Sequence, residues 1–353
     1  MILKPLIRTL LGHRLYSHLL YRRHYRWLLH HNGFPNRRVQ GEESYVAKWR
    51  QLSPLVEPYS YRLFSRYCGA DSNIIPEDIM HDIVERYLNP PALWDLYEDK
   101  NNFASFLDPF ILPATVAMRK NGGPIQQLVP LSDCPYQTLF LKPSLDASCG
   151  DGILRFDRCG DRYVASDGTI LSDIFMMRYA ANWNLQQGIV QHPFFARLSP
   201  TAVSTVRLAV YRSVVDSRPH VTAAILRVGP AGSHVDNISA GGRFVAVDPV
   251  TGRLGSTFIA RYGERSSQWN GVDLGEEKLF IPAWQSIVDL ALDASLRITD
   301  HHLIAFDITV DPSLRPILIE YNLGGFTTYF FHFTGQTPLG SFTDEVITSI
   351  INH

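Results

Sequence analysis

A chain of 353 residues is too long for one small core and suits two or three packed subdomains. Its 33 lysines and arginines against 34 acids leave a formal charge of −1, which excludes an overall field steering it to nucleic acid or membrane. No apolar run approaches the roughly 20 residues of a bilayer span. Cys68, Cys134, Cys149 and Cys159 follow neither CxxC nor metal-ligand spacing, and no long apolar leader precedes them, so they read as reduced thiols of a cytoplasmic protein.

The balanced charge hides a basic arm. Lys4, Arg8, Arg14, Arg22, Arg23, Arg26, Arg37 and Arg38 all precede the first acid, Glu42. Pro5 to His31 reads as one or two helices ending at Asn32-Gly33-Phe34-Pro35. Two readings stand for it: a helix packed on its own body with solvated arginines, or a weak contact with a membrane surface. Glu43 to Cys68 and Pro76 to Leu88 read as further helices, and the chain is mainly helical to Asp108. Thr138 to Pro143 then reads as a strand, Ser144 to Gly152 as a small-residue loop and Ile153 to Phe156 as a returning strand. A helix is expected over Leu171 to Trp183 and a short strand over Gly188 to Gln191. Strands dominate from Thr205: 206–212, 221–228, 243–247 and 254–262. A helix over 282–296, two strands over 305–322 and a helix over 343–351 complete the chain. This mixture without regular βαβ alternation predicts an α+β fold.

Chemistry-bearing residues concentrate in the 305–322 pair. Asp307 sits on the first strand, while Glu320 and Asn322 share one face of the second because side chains repeat with period two. If the runs pair, two carboxylates and an amide converge as hard oxygen ligands of the kind Mg²⁺ accepts, and the implied partner is a nucleotide. The alternative is a turn cap and a solvated edge. Lys142 ends a strand beside the loop carrying Gly150 and Gly152, where backbone N–H groups can approach a phosphate, or it belongs to a plain surface hairpin. Lys100 lies near a helix start. Arg207, flanked by apolar strand residues, points inward and needs an anion, either a phosphate or carboxylate ligand or one structural acid. Neighbouring pairs such as His30-His31 and His301-His302 do not face one way and are not read as metal pairs.

In order, Tyr87-Leu88-Asn89, Asp99-Lys100-Asn101, Leu141-Lys142-Pro143, Gln191-His192-Pro193, Ser204-Thr205-Val206-Arg207, Val235-Asp236-Asn237, Phe306-Asp307 and Ile319-Glu320-Tyr321-Asn322 together resemble the sugar-transfer associated group of ATP-grasp proteins. The resemblance runs from about Glu43 to the C-terminus. It implies an ATP-grasp fold, in which two α+β subdomains grip ATP between them, preceded by an N-terminal helical region. The expected division is residues 1–95 helical with the basic arm, 96–190 lid subdomain and its approach, and 191–353 C-terminal subdomain with the metal hairpin. The resemblance further implies that Asp307, Glu320 and Asn322 hold Mg²⁺ on ATP, that Lys100 and Lys142 contact phosphate, and that the loop with Ser148, Gly150 and Gly152 closes as a lid. Gln186, Gln187 and Ile189 fall at the adenine hinge, where Gln stands in place of the family's frequent Glu. Asn237, Arg207 and Arg227 would face the acceptor or the transferring phosphoryl group, with Arg207 and Lys142 in catalytic roles.

The activity so implied is an ADP-forming carboxylate–amine ligase working through an acyl phosphate, in sugar, polysaccharide or natural-product tailoring. Its partners would be small-molecule carboxylates and amines, sugar-linked ones among them, and no nucleic acid. A kinase of a small-molecule or sugar hydroxyl, or an inactive nucleotide-binding protein, are the alternatives. The polar, aromatic stretch from Arg261 to Leu274, with Arg265, Ser266, Gln268, Trp269 and Asn270, is the expected place for substrate contacts, or a surface loop.

Overall fold

A computed structural model describes residues 12–107, 112–145, 152–233 and 236–353, so Ser148 and Gly150 of the expected lid loop lie outside the described residues. Helices come first in the chain. α1 (His13–His31) buries Tyr25, Leu28 and Leu29, which recur at the i, i+3, i+4 spacing of one helical face. The helix is tied to the body by ion pairs from Arg22 to Glu57 (2.9 Å) and from His18 to Asp78 (2.8 Å). Where one helix was expected over 43–68 there are two, α2 (Glu42–Arg50) and α3 (Tyr59–Cys68). Pro54 and Pro58 lie in the break, and proline cannot donate the backbone bond that a continuous helix needs. α4 runs through Glu77–Ile79, a π-helical turn over Met80–Val84, and Glu85–Leu88. α5 (Trp94–Glu98) and α6 (Phe103–Phe106) lead to the first sheet. No helix among the described residues is long and apolar enough to cross a membrane.

The first sheet contains β1 (Thr115–Arg119), β2 (Gln126–Gln127), β3 (Thr138–Pro143), β4 (Leu154–Cys159), β5 (Arg162–Val164) and β6 (Trp183–Gln187) in the order β2-β1-β6-β3-β4-β5. The helix expected over 171–183 is only α7 (Asp173–Tyr179), capped by the Ser172 side chain accepting from the Phe175 N–H. Trp183 already belongs to β6, which pairs on both sides, and the Gly188 N–H closes it on the Thr138 carbonyl at 2.7 Å. The strand expected over 188–191 is therefore displaced toward the N-terminus. Pro193 instead opens the short helix α8 (Pro193–Leu198), with His192 Nδ1 accepting from the Phe194 N–H.

The second sheet has seven strands in the order β11-β10-β9-β8-β7-β14-β15. They are β7 (Thr205–Arg212), β8 (Pro219–Val228), β9 (Arg243–Val247), β10 (Leu254–Ile259), β11 (Arg265–Ser266), β14 (Leu303–Val310) and β15 (Pro316–Asn322). β12 (Gln268–Trp269) and β13 (Val272–Asp273) form a separate ribbon. All described strand pairings are antiparallel, in keeping with an α+β fold. Alternation along the long strands sets the layers. Val206, Leu208, Val210, Ile304 and Phe306 pack with α9 (Trp284–Arg297). Ala209, Tyr211, Ile225 and Ala305 face the N-terminal helices and α10 (Thr328–Phe333). Arg207 and Asp307 share this second face by period, and there the helices stop short and leave a cavity.

Candidate active site

The β14–β15 hairpin places Asp307 directly opposite Glu320, and its register slips between Asp307 and Ile308. Ile319 is the extra residue of this bulge. A bulge suspends alternation, so Ile319, Glu320 and Asn322 all line the cavity while Leu318 and Tyr321 stay buried in the opposite core. The sequence carries no local signal for the bulge, because Pro316 to Asn322 reads as an unbroken strand.

The cavity, about 460 Å³, lies between the two sheets. Phe140, Ile153, Ile189, Val203 and Ile319 give one part of it apolar walls, while Lys100, Lys142, Arg207, Arg227, Asp307 and Glu320 make another part strongly charged. Lys100 Nζ is 3.5 Å from Glu320 Oε2, and its backbone N–H is held by the Ser144 carbonyl at 3.1 Å. Burial works to raise the Glu320 pKa, yet Lys100, Lys142, Arg207 and Arg227 overcome it and bring the carboxyl to about 2. Arg207 grips Asp307 through Nε (2.8 Å) and Nη2 (2.6 Å), and Arg227 reaches the same carboxylate (3.2 Å) and Asp236 (2.9 Å). Asp236 also accepts from the Thr205 hydroxyl, and burial raises its pKa against the pull of Arg227. Arg207 has thus found the structural acid weighed from sequence. A guanidinium has five donors, so its Nη1 group remains for a second anion.

Lys142 is buried, and its pKa is lowered to about 7 by burial first and by Lys100 next. A phosphate placed beside it favours the ammonium and raises that value. Nucleotide binding at pH 8 is therefore expected to take up close to one proton through Lys142, and affinity should fall as pH rises above about 7. Calorimetric titration in buffers of different ionisation enthalpy measures this, with Lys142→Met as reference. Equal proton uptake by both proteins would contradict it.

The other expected residues fall as follows. Gln186 is buried with its Oε1 unpartnered, and Gln187 Oε1 accepts from the Ala114 N–H at 3.4 Å; both line the cavity. Asn237 lines it too, with its Oδ1 already capping the turn Ile238–Ala240 through the Ser239 N–H (2.8 Å). Gly152 packs at the hairpin base against Pro143 and Tyr179 and is not among the cavity-lining residues. Of the stretch 261–274 only Arg261 lines the cavity. Arg265 and Ser266 form an exposed edge strand, Trp269 lies under Arg243, and Asn270 binds the Leu198 and Gly229 carbonyls.

Sequence reasoning missed a row of carboxylates behind the site. Glu98 accepts from the N–H groups of Leu323 (2.5 Å) and Gly324 (3.3 Å), Glu85 from those of Gly325 (3.3 Å) and Phe326, and Glu77 from the Thr328 N–H (3.2 Å) and hydroxyl. His81 bridges Glu77 (3.3 Å) and Glu85 (2.8 Å). Burial opposes its protonation, but the two carboxylates prevail and raise its pKa to about 11. The helical region thereby fixes the loop that follows Asn322 and lines the cavity at Gly325 and Thr327. Glu85→Gln is expected to lower stability by about 1–3 kcal/mol, since buried donors lose a charged acceptor. Urea titration reads this, and an unchanged midpoint would contradict it.

The profile of sugar-transfer associated ATP-grasp proteins matches residues 80–340, which takes in every cavity-lining residue from Lys100 to Phe330. The chain belongs to this ATP-grasp family. Among solved structures it is similar to the L-amino acid ligase of Bacillus licheniformis (12% identity, 70% of this chain and 47% of the other, TM-score 0.38). It is also similar to the D-alanine–D-alanine ligase of Coxiella burnetii (11%, 73% and 58%, TM-score 0.40) and to the biotin carboxylase of Campylobacter jejuni (10%, 73% and 47%, TM-score 0.43). The chain spans about half the length of these structures. Comparison with curated proteins finds no match.

An ATP-grasp protein binds ATP, typically with magnesium, and the residues present fit both in part. Gln186 Oε1 is buried without a partner, the buried unpartnered atom of Asn322 is its donor Nδ2, which suits a phosphate oxygen, and among the described residues Glu320 forms an ion pair with Lys100 alone, at 3.5 Å. The two Asp307 oxygens are covered by guanidinium groups, so Asp307 joins a cation only by sharing or releasing them.

Proposed function

We propose that this ATP-grasp protein is an ADP-forming carboxylate–amine ligase that builds amides in sugar, polysaccharide or natural-product tailoring. The observation that carries the reading is the gathering of Lys100, Lys142, Arg207, Arg227, Asp307, Glu320 and Asn322 along one cavity between two sheets. Residues 96–190 act as the lid subdomain and 191–353 as the base, with 1–95 as the helical support. The adenine lies between Phe140, Ile153, Ile189 and Ile319, and Gln186 Oε1 takes a donor from the base or ribose in place of an acid. Glu320 and the Asn322 amide oxygen would hold Mg²⁺, and Asp307 would join them by sharing its carboxylate with the guanidinium groups. The ion supplies charge neutralisation on the phosphates.

In the first step a carboxylate oxygen of the substrate attacks the γ-phosphorus of ATP, the bond to the bridging oxygen breaks and ADP leaves. The acyl phosphate then accepts an amine at its carbonyl carbon, and inorganic phosphate departs while the amine proton passes to solvent. Such chemistry asks the protein for position and charge, not for a side-chain nucleophile. Lys100 and Lys142 balance the phosphates, and the Nη1 group of Arg207 faces the charge that develops on the transferred group and the carbonyl oxygen. The test is ADP release from Mg·ATP with pooled amino acids, sugar acids and amino sugars. A product mass of acid plus amine less water supports the ligase. A mass gain of one phosphate on a hydroxyl compound would assign a kinase instead.

A further inference from the structure

Three arginines line the cavity, and they are not equivalent. Arg207 and Arg227 are both paired with carboxylates. Arg261, in the turn between β10 and β11 closed by the Ala260 N–H on the Glu264 carbonyl (2.8 Å), has no carboxylate partner among the described residues, and its Nε is buried without a hydrogen bond. Its guanidinium lies over the Tyr262 ring at 5.3 Å and shares a hydrogen bond with the Tyr329 hydroxyl, a neutral partner that leaves the buried Nε and the charge itself for another group. A half-buried guanidinium is retained at such a place by an anion. Glu264 holds His31 (2.6 Å) and Asp236 holds Arg227, so neither acid serves Arg261.

The position separates this arginine from the reacting centre. Ile259 of β10 is in register with Phe244, Phe244 with Arg227 and Arg227 with Thr205 of β7, so three strand spacings, roughly 14 Å, lie between the strand of Arg207 and that of Arg261. The head of Arg207 reaches the other way, to Asp307 on β14. An anion at Arg261 is thus a different group from the carboxylate that meets the γ-phosphate. The space beside it is walled by Ile238, Ser239, Tyr329 and Phe330, an apolar lining with two hydroxyls.

We propose that Arg261 recognises a second anionic group, a carboxylate or a phosphate monoester, on the substrate that fills the end of the cavity away from the metal hairpin. The substrate is then an acid with a further anionic end, or an amine that itself carries an acid. This rests on the reading of the cavity as a nucleotide-plus-substrate site. The test uses 3-phenylpropionate, phenyl phosphate and the neutral 3-phenylpropionamide as probes, with affinities read by saturation-transfer NMR on the full chain with Mg and a non-hydrolysable ATP analogue. Wild type should bind at least one of the two anions better than the amide, and the stronger of them names the source of the negative charge. Arg261→Gln should weaken that anion about tenfold or more, with Arg261→Lys recovering part of the loss and the amide unaffected. Equal anion affinity in wild type and Arg261→Gln, or no anion binding by wild type, would overturn the proposal. Binding of the ATP analogue, measured on the same samples, separates this outcome from failure of the nucleotide reading and reports that each variant is folded.

Discussion

Asp307→Ala should be the most destabilising single change at the site. The carboxylate is 1% exposed and accepts two bonds from Arg207 and one from Arg227. Removing it leaves the interior Arg207 guanidinium without its carboxylate and takes one of two carboxylate partners from Arg227, a loss of about 3–5 kcal/mol by comparison with other broken buried pairs. That is a large share of the roughly 5–15 kcal/mol that holds a folded protein. Asp307→Asn, which keeps one acceptor, should lose less. Thermal and urea unfolding of the two variants check this, and a wild-type midpoint for Asp307→Ala would show that the arginines do not depend on it.

Glu320→Ala should do the opposite: leave the fold and abolish turnover. Its side chain is 34% exposed and meets Lys100 in one contact at 3.5 Å, so its loss unsettles the interior less than loss of the bidentately held Asp307. It does take away the charge that raises the Lys142 pKa, and so shifts Lys142 further toward the neutral amine. Together with the loss of a metal ligand, the rate of ADP formation should fall by on the order of 10²–10³ or more. A variant with wild-type rate and wild-type magnesium dependence would remove Glu320 from the metal site. The contrast between the two variants is itself informative, because Asp307 is held by protein cations and Glu320 faces the cavity.

The outline of the fold was legible because the signals are periodic. Alternation marked β7, β8, β14 and β15, and the inward Arg207 on an apolar strand called for an anion. Which anion depended on register: Asp307 is its direct neighbour across β7–β14, a pairing no local pattern encodes. The bulge at Ile319 was hidden for the same reason, since an extra residue shows only against a partner strand. The strand at the hinge was placed too late because Trp183-Asn184-Leu185-Gln186-Gln187 carries three amide side chains and no β-branched residue, and only pairing on both sides makes it a strand. The carboxylate row escaped entirely. Glu98, Glu85 and Glu77 bind backbone amides 225 to 251 residues away, and a backbone N–H leaves no mark in the sequence.

Hydroxylamine trapping bears most directly on the central claim, an acyl phosphate made at this cavity. The full chain is incubated with Mg·ATP, pooled carboxylic acids and hydroxylamine in place of the amine, and ADP and new masses are followed together. The account predicts ADP in step with one hydroxamate, both lost in Glu320→Ala. ADP in step with a phosphorylated hydroxyl compound, and no hydroxamate from any acid, would contradict it.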